Sequence, residues 1–339
     1  MKNNTVIGID LAKNVFQVAI LVDNKVVSNK RYRRAKLKEF LSNLKSSSIY
    51  MEACYSAHYW ARLAQDMGHN VGLIPAQHVS PFTRGNKNDA NDAVAIVEAS
   101  QRPNLQLVRI KSLEQQDIQS LHRIRERLVR NRTGMINQTH GLMSEYGVVL
   151  GKSHKAFLLG VTDALNSNAL SPLIKHELQH NLSELETINQ RIKLIENQLR
   201  QFVEHDQAAS ILHSIPGIGL LNASALAAKY PDPHQFTDAR AMSVHLGLTP
   251  KLIASGHKKI MVGISKRGDR YLRKQLIHGA RALMVHAPKR ENDALCQWAL
   301  RLKKRRGHNT AAVALANRLA RLAWTLLYKN EHYQARHIT

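Results

Sequence analysis

The order of apolar runs in residues 5–75 does most to limit the fold. Val6-Ile7-Gly8-Ile9 is one short run and residues 15–21 are another. Asp23-Asn24-Lys25 then turns the chain into Val26-Val27, so two tight antiparallel returns are expected. A helix-compatible stretch at 36–44 leads to Ile49-Tyr50-Met51-Glu52, and a helix at 57–68 leads to Val71-Gly72-Leu73-Ile74, closed by Pro75. Three strands in a meander, followed by strands alternating with helices, describe a mixed α/β sheet flanked by helices.

From 113 to 146 the pattern is helical, with Ile118, Leu121, Ile124 and Leu128 at spacings of three and four. Arg123, Arg127 and Arg130 share one face of this helix, which is either a solvated basic face or a surface that tracks phosphates. The whole-chain balance favours the second reading: 49 Lys and Arg stand against 25 Asp and Glu, a formal net charge of +24. So large an excess disfavours compaction by self-repulsion, and a polyanionic partner relieves it. Nucleic acid is the first such partner and an anionic membrane surface the second. Composition is otherwise globular, 44% hydrophobic and 22% charged, which excludes wholesale disorder.

Membrane insertion is not expected. The most apolar stretch, Ala311 to Tyr328, is broken by Asn317, Arg318 and Arg321. Asp10 arrives before a secretory h-region can develop, and Cys54 and Cys296 make neither a disulfide framework nor a metal pair. A cytosolic, cytoplasmic protein is expected.

Residues 147–172 read as loop. Leu185, Ile188, Ile192, Ile195, Leu199 and Phe202 then form a heptad seam whose partner is either the helix at 113–146 or another subunit. A new unit begins near 208. Ile215-Pro216-Gly217-Ile218-Gly219 lies between helical patterns at 208–214 and 220–229. It reads as a helix-hairpin-helix, with Gly217 and Gly219 letting backbone N–H groups approach a phosphate, or as a plain helical turn. Glycines, serines and lysines crowd 247–268, and a helix at 269–285 carries Arg270, Arg273, Lys274 and Arg281 largely on one face. Lys303-Lys304-Arg305-Arg306 precedes a last amphipathic helix through Leu315, Leu319, Leu322 and Leu326.

Four carboxylates stand out by position. Asp10 ends the first strand, Glu52 ends the fourth, and Asp89 and Asp92 share one face of a helix. Strand ends and a helix face can converge, and gathered carboxylates are neutralised by hard divalent cations. Two Mg²⁺ about 3.5–4 Å apart would activate a nucleophile and stabilise the leaving oxygen of a phosphodiester. Singly, each acid also has a plain role as a cap or a solvated group. His176-Glu177-Leu178-Gln179-His180 matches the H-E-x-x-H zinc signature, but it precedes the heptad seam and has no third ligand nearby. Ser255, followed by Gly256, His257, Lys258 and Lys259, is either an activated nucleophile or part of a phosphate-gripping loop, with Lys266 and Arg267 following.

These segments together resemble the DEDD-type transposases of bacterial insertion sequences, a group that includes bridge-RNA-guided recombinases and is related to pilin-type DNA invertases. Gly-Ile-Asp at 8–10, Met-Glu-Ala at 51–53 and Asn-Asp-Ala-x-Asp-Ala at 88–93 carry the resemblance in the N-terminal half. Ile-Pro-Gly-Ile-Gly at 215–219, Leu-Gly-Leu-x-Pro at 246–250, Ser-Gly at 255–256 and Ile-Ser-Lys-Arg-Gly-Asp at 264–269 carry it in the C-terminal half. The resemblance implies an RNase H-like (RuvC-like) domain at 1–150, a coiled-coil segment at 151–207 and a mainly helical C-terminal transposase domain at 208–330. It makes Asp10, Glu52, Asp89 and Asp92 a Mg²⁺-binding tetrad and Ser255 a nucleophile that joins covalently to DNA. Donor and target DNA, a structured guide RNA and assembly as a homo-oligomer are the partners it implies. A RuvC-like nuclease using water, a site-specific invertase and a non-enzymatic nucleic-acid-binding protein are the competing readings.

Overall fold

A computed structural model describes residues 5–83, 88–255 and 258–335. The chain divides into two compact units, Met1–Leu113 and Glu114–Thr339.

The first unit is built on a five-stranded sheet: β1 (Thr5–Asp10), β2 (Val15–Val22), β3 (Lys25–Arg33), β4 (Ser48–Glu52) and β5 (Asn70–Ile74), in the order β3-β2-β1-β4-β5. β1, β2 and β3 form the antiparallel meander expected from the turn at Asp23-Asn24, and β4 and β5 run parallel to β1. The parallel returns need crossovers, supplied by α1 (Arg34–Asn43) and α2 (Ala57–Asp66). Period-two alternation sorts the side chains onto two faces. Ile7, Ile9, Phe16, Val18, Ile49, Met51 and Leu73 face α1 and α2, where they enclose Leu37, Leu41 and Trp60. On the other face Val6, Ala19 and Leu21 meet Ala93 and Val97 of a later helix.

That helix follows α3 (Ala76–Val79) and is α4 (Asp89–Ser100). It lies flat on β1 because Gly8 has no side chain: a Cβ there would stand 2.4 Å from Val97 Cγ2 and 2.8 Å from the Ala93 carbonyl oxygen. The contact sets how near the start of α4 comes to the end of β1. β3 is one edge strand and is blunted by Lys25, Lys30, Arg31 and Arg33.

The second unit is mainly helical. α5 (Leu113–Glu145) and α7 (Pro172–His205) are long, and the seam of α7 closes on α5 of the same chain: Ile188, Ile192, Ile195 and Leu199 cluster with Ile118 and Leu128. The other end of α7 is covered by α6 (His154–Asn166), which occupies much of the stretch expected to be loop. Phe157, Val161 and Ala164 are buried against Met143, Leu178 and Leu185. Ser153 caps α6 by accepting from the Ala156 N–H, 3.2 Å away. Leu158 and Leu165 pack beside them, so the apolar residues at 157, 158, 161, 164 and 165 form one helical face.

Beyond α7 come α8 (Gln207–His213), α9 (Leu220–Lys229), α10 (Ala239–His245), a two-stranded hairpin of β6 (Pro250–Ser255) and β7 (Lys258–Ile264), then α11 (Arg270–His286), α12 (Ala294–Arg306) and α13 (His308–Lys329). The hairpin stands where the sequence suggested an irregular Gly-rich loop. Ile218, Leu226, Leu276, Leu283, Leu315 and Leu319 belong to the core of this region. His122 of α5 is buried between α9 and α11, with Nε2 3.1 Å from Ser224 Oγ and Nδ1 2.9 Å from the Tyr271 hydroxyl. Ser224 already donates to the Leu220 carbonyl, so Nε2 must donate to Ser224 Oγ and Nδ1 accepts from Tyr271. Burial, with nearby Arg125, lowers the imidazole to about 4 and keeps it neutral.

Gly8→Ala tests the seat of α4. The added methyl meets a helix backbone that cannot yield by rotating a side chain, so a loss of about 1–3 kcal/mol is expected from overpacking. Urea unfolding followed by tryptophan fluorescence, with Trp298 and Trp324 changed to Phe so that buried Trp60 alone reports, is the measurement. A loss below about 0.5 kcal/mol would show that the helix does not need this close approach.

Candidate active site

Three elements bring the four acids to one face of the sheet. Asp10 pairs with Gln17, and Gly8 pairs with both Ala19 and Tyr50, so Asp10, Gln17, Tyr50 and Glu52 share the face that α4 covers. Asp89 and Asp92 lie in the first turn of α4, where the helix dipole favours negative charge. Asn88 caps that turn, its Oδ1 accepting from the Asn91 N–H at 2.8 Å. The acids sense one another. Burial first, then Asp92, Asp89 and Glu52, push the Asp10 carboxyl up to about 6 against the pull of the Leu11 N–H. Burial, Glu52 and Asp10 likewise raise the thiol of Cys54, which therefore belongs to the same neighbourhood.

Among the described residues, no three His, Cys, Asp or Glu side chains close on a single point where an ion would sit. An all-oxygen, anionic donor set of this kind fits a hard divalent cation rather than a soft one. Sequence reasoning missed the neighbours that surround the acids from β2 and β3. Gln17 is buried opposite Asp10, and Arg31 Nη2 stands 3.9 Å from Asp89 Oδ2. The turn at Asp23-Asn24 signalled the hairpin but not a register irregularity at Ile20 and Leu21 that decides which β3 residues face α4.

The C-terminal candidates fall into distinct settings. Ser255 ends β6 opposite Lys258 of β7. The side chains of Ser255, Lys258 and Lys259 lie outside the described residues, as do Gly256 and His257. Lys266, Arg267 and Arg270 are exposed, and Ser265 is half-buried. Gly268 takes φ +92 with its α-carbon against the His245 carbonyl, so the loop before α11 crosses the end of α10 backbone to backbone. Arg273 faces inward from α11: its Nη1 donates to the Leu246 carbonyl at 3.1 Å and braces that crossing. Lys274 pairs with Glu126, and Lys229 pairs with Asp269, which also caps α11 through the Leu272 N–H. Burial would raise Asp269, but Lys229 and the backbone N–H groups hold it below the ordinary carboxylate value.

On α5, Arg125 reaches Glu196 at 2.6 Å and Arg132 reaches Asn189 at 3.3 Å, so both are used in joining α7. Arg123, Arg127 and Arg130 are exposed and form no ion pair among the described residues. Gly217 and Gly219 lie in the turn between α8 and α9, with Gly219 exposed at the start of α9. His176 and His180 are exposed neighbours on α7, 3.3 Å apart between Nε2 atoms.

The first unit thus gathers acids on one face of a mixed sheet, and the second presents exposed arginines, the features expected of an enzyme that acts on nucleic acid. The comparisons give the family. Residues 209–297 match the transposase IS116/IS110/IS902 family model, and residues 7–148 match a transposase model of the DEDD type named for IS110. The chain is 41% identical, over 97% of its length and 98% of the relative's, to a probable family 20 transposase of Pseudomonas aeruginosa. It is 40% identical, over 98% of its length and 92% of the relative's, to the transposase for insertion sequence element IS1111A of Coxiella burnetii. A pilin gene-inverting protein of Moraxella bovis is 23% identical over 81% of each chain. The chain therefore belongs to the IS116/IS110/IS902 family of transposases. No helix among the described residues is long and apolar enough to cross a membrane.

The raised Asp10 value has a measurable sign. In the unfolded chain this carboxyl ionises near 3.8, but in the fold only near 6. Ionised Asp10 thus opposes folding: the penalty is absent below about pH 4, grows as pH rises to about 6, and is constant above that. In a chelating buffer, Asp10→Asn should be more stable than the natural chain at pH 7.5 by roughly 1–2 kcal/mol, after discount for the site's access to water. The difference should vanish near pH 4. Thermal unfolding of both proteins across that range checks it, and a gap that does not change with pH would contradict the gathering of the acids.

Proposed function

We propose that this transposase excises and inserts its insertion sequence by serine attack on DNA phosphodiesters, on an RNase H-like (RuvC-like) first domain. The observation that carries the reading is that β1, β4 and the first turn of α4 bring Asp10, Glu52, Asp89 and Asp92 to one face of the sheet. The sheet order β3-β2-β1-β4-β5, with an antiparallel meander and two parallel returns, supports the RNase H-like assignment. In the proposal Asp10, Glu52, Asp89 and Asp92 hold Mg²⁺, two ions in all. The bound metal supplies charge neutralisation at the phosphate and activation of the attacking oxygen.

Ser255 is the proposed nucleophile. Its Oγ forms a bond to phosphorus as the bond from phosphorus to one strand's oxygen breaks; the serine proton leaves and the departing oxygen becomes a hydroxyl. The phosphoserine link retains the phosphodiester's free energy, so reversal by a strand end rejoins DNA without an external energy source. Lys258, Lys259, Lys266, Arg267 and Arg270 would grip phosphates around it. Arg273 supports the loop from inside, because its guanidinium is already taken by backbone carbonyls. Arg123, Arg127 and Arg130 would track phosphates along α5, and the N–H groups at Gly217 and Gly219 would meet another. A charge of +24 supports a second polyanion beside DNA, here a structured guide RNA. Assembly is proposed to be homo-oligomeric. The pilin gene-inverting relative supports strand exchange over simple hydrolysis, which would need no serine.

Ser255→Ala is expected to abolish both recombination and the covalent protein–DNA adduct, seen as a shifted band of labelled DNA on a denaturing gel with Mg²⁺. Binding should stay nearly intact, because one hydroxyl adds little beside many phosphate contacts. Ser265→Ala is the control and should keep the adduct. Cutting by the natural chain with no adduct at all would instead establish a water-using nuclease. The basic face has its own readout. Changing Arg123, Arg127 and Arg130 together to Gln should lower the slope of log affinity against log salt by up to about 3. An unchanged slope would leave these arginines as a solvated face.

A further inference from the structure

Between β2, β3 and α4 runs a polar chain that none of the roles above explains. Gln17 is a buried polar residue, only 5% exposed, in the middle of the sheet face that carries the acids. Its Nε2 donates to Asn29 Oδ1 at 2.6 Å, and Asn29 Nδ2 donates to the Ala90 carbonyl at 3.0 Å. On its other side Gln17 Oε1 accepts from Arg31 Nε at 3.3 Å, and Arg31 Nη2 stands 3.9 Å from Asp89 Oδ2.

The direction of this chain is forced. A carbonyl can only accept, so Asn29 must present its NH₂ to Ala90 and its oxygen to Gln17. Gln17 must then present its NH₂ to Asn29, and its oxygen is left to receive Arg31. Each amide fixes the orientation of the next. The chain ends on α4 twice, at the backbone of Ala90, which lies between Asp89 and Asp92, and at the Asp89 carboxylate itself. Gly8 fixes the height of α4 above the sheet; this relay acts on the helix's first turn from the side.

We propose that Gln17 and Asn29 are positioning residues for the acid site: their amide relay, anchored by Arg31, holds the first turn of α4 so that Asp89 and Asp92 stand with Asp10 as a metal-binding set. The proposal rests on the reading that these acids hold a divalent cation. Neighbours that orient metal ligands typically change metal affinity by 10–100-fold when removed. A relay that only stabilises the fold would change stability and leave affinity for the ion alone.

The test is a calorimetric titration of the full chain, without nucleic acid, with Mn²⁺ as the probe. The variants are Asn29→Ala, Gln17→Met, Asp10→Asn and Lys30→Gln; Lys30 pairs with Val18, whose side chain lies on the opposite face. Asn29→Ala and Gln17→Met should each weaken Mn²⁺ binding at least tenfold. Their melting temperatures in chelator should stay near that of the natural chain, and the rise in melting temperature that Mn²⁺ gives the natural chain should shrink. Lys30→Gln should bind as the natural chain does. Should one relay variant unfold in chelator, the other carries the comparison. If both bind Mn²⁺ within twofold of the natural chain while Asp10→Asn does not, the relay is overturned and the metal site stands. If the natural chain and Asp10→Asn show the same Mn²⁺ binding, the metal reading falls and the relay with it.

Discussion

The first unit depends on the contact between the backbone of β1 and the body of α4. Gly8 admits Val97 and the Ala93 carbonyl to a distance that any side chain would forbid. That contact brings the first turn of α4 beside the last residue of β1, and so brings two carboxylates beside a third. The cost falls on Asp10, which burial first and its acidic neighbours second make a weaker acid in the fold than in the open chain. The apolar packing of Ala93 and Val97 on Val6, Ala19 and Leu21 offsets it. A site of this kind is held together by its floor and strained at its mouth, an arrangement that suits a cation-binding centre.

The second unit divides its positive charge between assembly and display. Arg125, Arg132, Arg273, Lys229 and Lys274 each have a partner within the unit, whether a carboxylate, an amide or a backbone carbonyl. Arg123, Arg127 and Arg130 lie on the same α5 helix as two of these and have no ion-pair partner among the described residues. Position on the helix decides which is which: one face meets α7 and the other meets solvent. The carboxylate pairs already cancel within the net charge, and the exposed, unpaired arginines are the ones that matter for binding phosphates.

Much of the fold is legible in the chain. The meander, the two returns, the acids at the ends of β1 and β4, and the seam of α7 all follow from period-two and heptad patterns that burial imposes. α6 also carries a helical period, in Phe157, Leu158, Val161, Ala164 and Leu165, but two features were not legible. The β6–β7 hairpin has exposed apolar residues on both faces, such as Leu252 and Ile253, and so lacks the alternation of a half-buried strand. Arg273 looks like its neighbours Arg270 and Lys274 in sequence, and only the crossing of two loops gives it carbonyls to bind.

By itself the sequence determined which residues are acidic, where the strands end, and that Asp89 and Asp92 share a helix face. Those follow from local spacing. Only the tertiary structure decided what surrounds the acids. The turn at Asp23-Asn24 would in uninterrupted register pair Gln17 with Lys30, but the irregularity at Ile20 and Leu21 pairs it with Arg31. Because side chains alternate between faces, that shift of one residue sends Asn29 and Arg31 to α4 and turns Tyr32 to the opposite core, against Phe40. A bulge is a balance between strand pairing and packing on both faces of a sheet, and no local pattern in β2 or β3 announces it.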